Sequence, residues 1–293
     1  MARSYATLAP AKVNLTLSVR GRRADGYHLI ESLVVFAGAA DRVTLSLDHP
    51  AGVTVMGGPF AADLVGENLL DRALALLAAR HPELRLGAVQ LEKNLPVAAG
   101  IGGGSADAGA LLRLVRAANA GHAEMVDWHA LALALGADVP VSMLDRPALM
   151  WGIGDQLLPI DALPPLALVL VNPQVAVPPT KTRDVFRTLD AGFVAEQPPP
   201  VSPPLDRDGF SAYLAARGND LTEAATAVVP AVSEVLAAIT ATAGCRLARL
   251  SGAGPTCFGL YDDQPCAERA AAHLAAVRPD WWVSAAPFGP PAP

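Results

Sequence analysis

The stretch Pro96-Val97-Ala98-Ala99-Gly100-Ile101-Gly102-Gly103-Gly104-Ser105-Ala106-Asp107 places four glycines within five residues and then runs into helical sequence. Glycines let the backbone turn so that successive amide N–H groups face one point. The helix beyond adds unpaired N–H groups and the positive end of its dipole. Such a cradle suits a polyphosphate; a flexible surface loop is the plain alternative. Two familiar phosphate patterns fail. Gly104-Ser105 is followed by Ala106, without the lysine of a Walker loop, and a GxGxxG count from Gly100 ends on Ser105. Asp107 sits awkwardly here. An acid in the first helical turn stabilises the helix by about 0.3–1 kcal/mol, yet it repels a bare triphosphate. It is either a capping acid or part of a magnesium shell, and the cap is the simpler reading.

Only three of the 22 basic residues are lysines: Lys12, Lys93 and Lys181. Lys12 and Asn14 stand two apart in a strand-like run, so both project from one face and offer a cation and an amide to one pocket. A solvated lysine on an edge strand is the alternative, but their neighbours are apolar and an unpaired ammonium there is costly. Tyr27 and His28 follow the turn Asp25-Gly26; they suit a flat base, by stacking and by hydrogen bonding, or simply begin a strand.

Periodicity supplies the frame. Ala6–Val19 alternates Val13, Leu15, Leu17 and Val19 on one face of a strand. Further strands are predicted at Ser32–Phe36, Arg42–Leu47, Val53–Val55 and Val89–Leu91, separated by Gly, Pro and Asp turns. Asn68 is placed to cap a helix with the apolar face Leu69, Leu70, Ala73, Leu74 and Leu77. Helices follow at Ala106–Ala118 and from Asp127 to Leu135, the latter stopped by Gly136. Leu166–Val171 reads as a buried strand, and the proline-rich Gln197–Pro204 as a loop. A helix capped at Asn219 precedes another at Pro230–Ala243, with Val232, Val235, Leu236 and Ile239 on its inner face. Strands Arg246–Leu250 and Thr256–Tyr261, a helix at Pro265–Ala276, a strand at Trp281–Ala285 and a frayed tail at Phe288–Pro293 complete the chain. Strands mix with helices without a strict βαβ rhythm, which indicates α+β.

Composition narrows the function. The 293 residues carry 22 basic and 28 acidic groups, net −6, with no basic block. Nucleic-acid binding as the main task is excluded, because it needs a concentrated positive face. Three cysteines give neither a disulfide framework nor zinc-site spacing. Apolar stretches fall far short of the roughly 18 residues of a membrane span. Met1–Tyr5 does not read as a secretory leader. The expectation is a soluble cytoplasmic protein without nucleic-acid or membrane partners and without a protein-built metal site.

Four further segments turn the glycine loop into a resemblance. PAKVNLTLSVRGRRADGYH (residues 10–28), GENLLDRA (Gly66–Ala73), EKNLPVAAGIGGGSADAGA (Glu92–Ala110), LGADVP (Leu135–Pro140) and LSGAGPTCF (Leu250–Phe258) occur in this order. Together they resemble the 4-diphosphocytidyl-2-C-methyl-D-erythritol kinase family of the GHMP small-molecule kinases. Ala98-Ala99 and the proline-rich insert depart from its pattern. The resemblance implies a two-lobed α+β fold: an N-terminal lobe (1–162) like ribosomal protein S5 domain 2, and a GHMP kinase C-terminal lobe (163–293). It also implies ATP-dependent phosphorylation of the 2-hydroxyl of a cytidylyl-linked methylerythritol, with Mg²⁺, in isoprenoid precursor synthesis, by a monomer or weak homodimer.

Site residues follow by position. Asp138 would take the hydroxyl proton, although alone it is equally a turn or helix-end residue before Pro140. Lys12 beside it would keep the carboxylate charged and stabilise developing negative charge. Residues 96–106, Asn68 and Lys93 would hold ATP; as a helix cap and an exposed strand end, the last two also have plainer readings. Asn14, Tyr27, His28 and, as second stacking aromatic, Phe186 would hold the acceptor; core packing is the alternative for Phe186. Ser251–Thr256 would pack against the site. A kinase for homoserine or mevalonate has little reason to carry the 21–28 segment. A non-catalytic nucleotide-binding module has little reason to keep both Lys12 and Asp138.

Overall fold

The computed structural model describes residues 4–64, 66, 68–189, 191–194 and 197–287; Glu67 of the Gly66–Ala73 segment and the tail expected to fray lie outside them. Strands β1 (Ser4–Asn14), β2 (Ser18–Arg22), β3 (His28–Ser46) and β4 (Gly52–Gly57) precede α1 (Leu69–Arg80), β5 (Ala88–Glu92) and α2 (Gly103–Ala118). Helices α3 (Trp128–Leu135) and α4 (Val139–Leu144) lead to β6 (Ala148–Gly152) and β7 (Gln156–Pro159). Then come β8 (Ala167–Asn172), α5 (Lys181–Arg187), α6 (Arg207–Ala215), α7 (Thr222–Val228) and α8 (Ala231–Thr240). The last elements are β9 (Leu247–Leu250), β10 (Cys257–Tyr261), α9 (Gln264–Val277) and β11 (Trp282–Pro287).

Two sheets result. The first has seven strands, with β3 at its centre: the order is β4-β5-β3-β6-β7, and β1 and β2 also pair with β3. Among its described strands, only the β4–β5 pairing is parallel. The second is antiparallel in the order β11-β8-β10-β9. Strand alternation assigns each side chain to a layer. In the first sheet Ala9, Val43, Leu45 and Leu91 face α1, α2 and α3. Val13, Leu15, Leu33 and Val35 point the other way and meet Leu168, Leu170, Phe258 and Leu260 of the second sheet. Val169, Val171 and Tyr261 face α7, α8 and α9. The order of layers is helix, sheet, sheet, helix, and β8 is buried on both faces, as its unbroken apolar run requires. Each leucine buried between the sheets contributes about 1.5–3 kcal/mol, so the sheets form one frame for whatever lies at their edge.

Several expected boundaries move. The first predicted strand ends at Asn14 and resumes at Ser18. The turn expected between Phe36 and Arg42 is absent: β3 runs through it, and a register shift between Pro10 and Lys12 of β1 absorbs the extra residues. Such a bulge re-aims side chains, and here it stands beside Lys12. Helix α2 begins at Gly103 rather than Ala106, because only Gly100 and Gly102 adopt positive φ and the next two glycines are already helical. Asn219 is not the cap of α7, which starts at Thr222; its amide binds the carbonyls of Leu250 (2.9 Å) and Gly252 (2.8 Å). Gln197–Pro204 forms neither helix nor strand, as its prolines dictate.

Candidate active site

A cleft of about 970 Å³ opens beside β1, α2 and α5, and most of the residues singled out in the sequence line it. Lys12 and Asn14 enter it from one face of β1. The Lys12 backbone N–H donates to the Ile101 carbonyl at 2.9 Å, which fastens the glycine loop to the strand. Gly100 has φ +79°, and a Cβ there would lie 2.5 Å from the Gly254 carbonyl oxygen, so the loop from Ser251 to Thr256 packs directly on the first. Ser251 Oγ bridges the two, accepting from the Asn14 N–H (3.2 Å) and donating to the Gly100 carbonyl (3.3 Å).

The first bond within α2 runs from the Ala106 N–H to the Gly102 carbonyl (2.8 Å). The amides of Gly103, Gly104 and Ser105 therefore have no helical partner, and all three residues line the cleft. Unpaired amides at a helix start are the geometry that an anion cradle would need. Pro96, Val97, Ala98 and Ala99 continue its wall, whereas Ile101 and Ala106 turn their side chains into the core.

Asp138 caps α4 through its backbone alone; its carbonyl accepts from Ser142 Oγ at 2.8 Å. The carboxylate is left free and meets Lys12 Nζ at 2.9 Å, with Lys12 buried and Asp138 partly open to the cleft. Gly109 makes this approach feasible: a Cβ there would lie 2.7 Å from the Met143 backbone nitrogen, so α4 packs tightly on α2. The orientation of the Asn14 amide is fixed by a relay. Ser32 Oγ donates to the Thr16 carbonyl (2.6 Å) and so accepts from Asn14 Nδ2 (2.7 Å). Asn14 Oδ1 remains buried without a partner beside the cleft.

Lys93 is not an exposed strand end. It is 2% exposed, ion-paired with Asp41 and with Asp107 (2.8 Å), and its Nζ would lie 3.2 Å from a Cβ at Gly103. Asp41 also accepts the N–H groups of Asn94 (2.6 Å) and Leu95 (2.7 Å). Burial alone pulls the Lys93 ammonium down, but the Asp107 and Asp41 carboxylates outweigh it and hold its pKa above the ordinary value. Asp107 is not a first-turn acid, because α2 starts earlier than expected and turns this residue inward. Burial raises its carboxyl pKa, against the pull of Lys93. Its Oδ1 is a second buried oxygen without a partner.

Asn68 Oδ1 caps α1, accepting from Leu70 (2.8 Å) and Asp71 (3.1 Å), and the residue borders the cleft. Across the opening the His28 and Phe186 rings meet at 5.1 Å, inclined by 36°. Burial and the charge of Arg22 lower the His28 pKa, so the ring is neutral near pH 7. Phe186 also packs on the core of the second sheet, as its core-packing reading expects. Tyr27 stands 60% exposed at the rim.

Residues 68–152 match the GHMP kinases N terminal domain, and residues 206–280 match the GHMP kinases C terminal family. A 4-diphosphocytidyl-2-C-methyl-D-erythritol kinase of Paramagnetospirillum magneticum is 49% identical over 286 residues, 97% of this chain and 98% of that one. The chain belongs to the 4-diphosphocytidyl-2-C-methyl-D-erythritol kinase family. It is a small-molecule kinase with the GHMP fold. Another member, from Methylobacterium radiotolerans, is 49% identical across 94% of this chain and 96% of its own. A crystal structure of a 4-(cytidine 5'-diphospho)-2C-methyl-D-erythritol kinase superposes with a TM-score of 0.75 at 36% identity, covering 97% and 99% of the two chains. The homoserine kinase of Cytophaga hutchinsonii (16% identity, TM-score 0.68, covering 98% and 96% of the two chains) shares the fold alone. Against this family background, three contributors to the site had been missed in the sequence. Asp41 looked like a turn residue, Ser32 like a plain strand residue, and Gly109 had no local signal at all. A buried acid in an otherwise apolar run was the one available hint, for Asp41.

Proposed function

We propose that the protein transfers the γ-phosphoryl group of ATP to the 2-hydroxyl of 4-diphosphocytidyl-2-C-methyl-D-erythritol, giving the 2-phosphate and ADP. The observation that carries this reading is the Lys12–Asp138 pair, 2.9 Å apart at the mouth of the glycine cradle. Asp138 takes the hydroxyl proton as the oxygen bonds to the γ-phosphorus. The bond from that phosphorus to the bridging oxygen breaks, ADP leaves with the electron pair, and the proton passes from Asp138 to solvent. Lys12 stabilises the charge that develops between acceptor and phosphate. The free amides at Gly103–Ser105 orient the phosphates, while Asn68 and Lys93 border the nucleotide's side of the cleft. Asn14 Oδ1, an acceptor lacking a donor, suits an acceptor hydroxyl. The lobes divide near residue 162.

Magnesium fits this arrangement. Among the described residues no three His, Cys, Asp or Glu side chains cluster as a metal site. Asp107, with its unpartnered Oδ1, and Ser105 both line the cleft and would offer only a partial shell. Mg²⁺ is characteristically held by one or two carboxylates together with substrate phosphates and water, and it would neutralise phosphate charge. No described helix is long and apolar enough to cross a membrane.

Tyr27 tests the acceptor's placement. Base–aromatic stacking contributes about 1–3 kcal/mol, so Tyr27→Ala is expected to raise the KM of the cytidylyl alcohol about 5- to 150-fold. The KM of ATP should stay within about twofold. Steady-state ADP release at varied concentrations of each substrate measures both. Equal rises would place the base elsewhere and remove the support for a cytidylyl acceptor.

A further inference from the structure

Two of the three lysines have carboxylate partners: Lys12 has Asp138, and Lys93 has Asp41 and Asp107. Lys181 has none among the described residues. It is 4% exposed, it lines the cleft, and its Nζ donates to the carbonyls of Gly254 and, at 3.5 Å, Ala253. The acid on its own helix, Asp184, is turned away to Thr180 Oγ1 (2.6 Å) and Arg187 (3.1 Å). Burial pulls the ammonium down to about 8.

Neutral carbonyls satisfy hydrogen bonds without neutralising charge, and a buried ammonium without an anion is costly. Two carbonyls engage two of its three donors, leaving one for the cleft. The position is informative as well. Gly254 abuts Gly100, so this ammonium stands at the seam of the two glycine loops. Phe186, which meets His28, lies on the same helix, about 7.5 Å further along its axis at ~1.5 Å per residue.

We propose that Lys181 binds a phosphate group of a nucleotide held in the cleft, supplying the cation between the glycine loops and the His28–Phe186 pair. This rests on the reading that the cleft takes ATP and a cytidine diphosphate derivative. The shared helix with Phe186 favours the acceptor's diphosphate over the phosphates of ATP. It also explains why the lysine is buried without an acid: its counter-ion arrives with the ligand.

Calorimetry with CDP, cytidine and ADP on the wild type, Lys181→Met and Lys181→Arg tests this, with thermal unfolding of each variant as the control. Lys181→Met is expected to weaken CDP about tenfold or more and cytidine less than about twofold, with Lys181→Arg restoring most of the loss. A loss confined to ADP supports phosphate binding and assigns it to the donor. Equal losses for CDP and cytidine, or no loss for either CDP or ADP, would overturn the proposal and leave the lysine as a brace for the second loop. Should Lys181→Met not fold, Lys181→Gln takes its place, because it keeps a donor for the carbonyls without the charge. Arg183→Ala is the control for the neighbouring exposed cation; a CDP loss there alone also overturns the proposal. Wild-type protein that binds CDP but does not phosphorylate the cytidylyl alcohol would refute the proposed function and still let CDP binding decide the role of Lys181.

Discussion

Asp138→Asn is expected to lower turnover by about 10²–10⁴-fold while leaving ATP affinity within about threefold. The carboxamide is nearly isosteric and cannot accept the hydroxyl proton. The backbone that starts α4 is untouched, since Asp138 caps it through its carbonyl and not its side chain. The glycine cradle proposed to hold ATP is built from other residues. A fall in kcat at preserved nucleotide affinity therefore separates chemistry from binding. Single-turnover kinetics with equilibrium ATP binding gives both quantities. An unchanged rate would exclude Asp138 as the base, and a lost ATP affinity would assign it a binding role.

The second large effect concerns stability. Lys93→Met is expected to cost about 3–5 kcal/mol of unfolding free energy, because it leaves two buried carboxylates without their cation. Asp41 is fully buried and Asp107 is 3% exposed, so little water reaches either. The double variant Lys93→Met/Asp107→Leu should recover part of the loss, since one orphaned charge disappears with its partner. Equilibrium urea unfolding of both variants measures this. A change under about 1 kcal/mol in Lys93→Met would contradict this and show that the two carboxylates are relieved in another way, as by protonation. The position of Lys93 under Gly103 also ties the cradle to this triad, so ATP affinity should fall alongside stability.

How much of this was legible before the structure depends on the range of the interaction. The glycine cradle, the shared face of Lys12 and Asn14, and the capping of α1 by Asn68 are local, and local spacing reveals them. Asp138 was ambiguous from its neighbours alone, and only the ordered set of motifs singled it out. The triad of Asp41, Lys93 and Asp107 joins three separate elements and leaves no periodic trace. Residues 38–41 looked like a turn because glycine and aspartate usually mark one; strand pairing overrode that local preference, and β3 takes up its extra residues as a bulge opposite Pro10 and Lys12. Helices α4, α5 and α6 are only six to nine residues long, too short to stand alone, so tertiary packing supports them more than intrinsic propensity. Lys181 could be counted in the sequence, but that no acid among the described residues pairs with it is a fact of three dimensions.

The pairing of the proposed phosphate cradle with a cytidylyl alcohol is open to one direct test. ADP release with ATP and Mg²⁺ should be followed with 4-diphosphocytidyl-2-C-methyl-D-erythritol, homoserine and mevalonate as separate acceptors. Turnover confined to the cytidylyl alcohol is the predicted result. Turnover with homoserine or mevalonate, or none with any acceptor in folded protein that binds ATP, would contradict it.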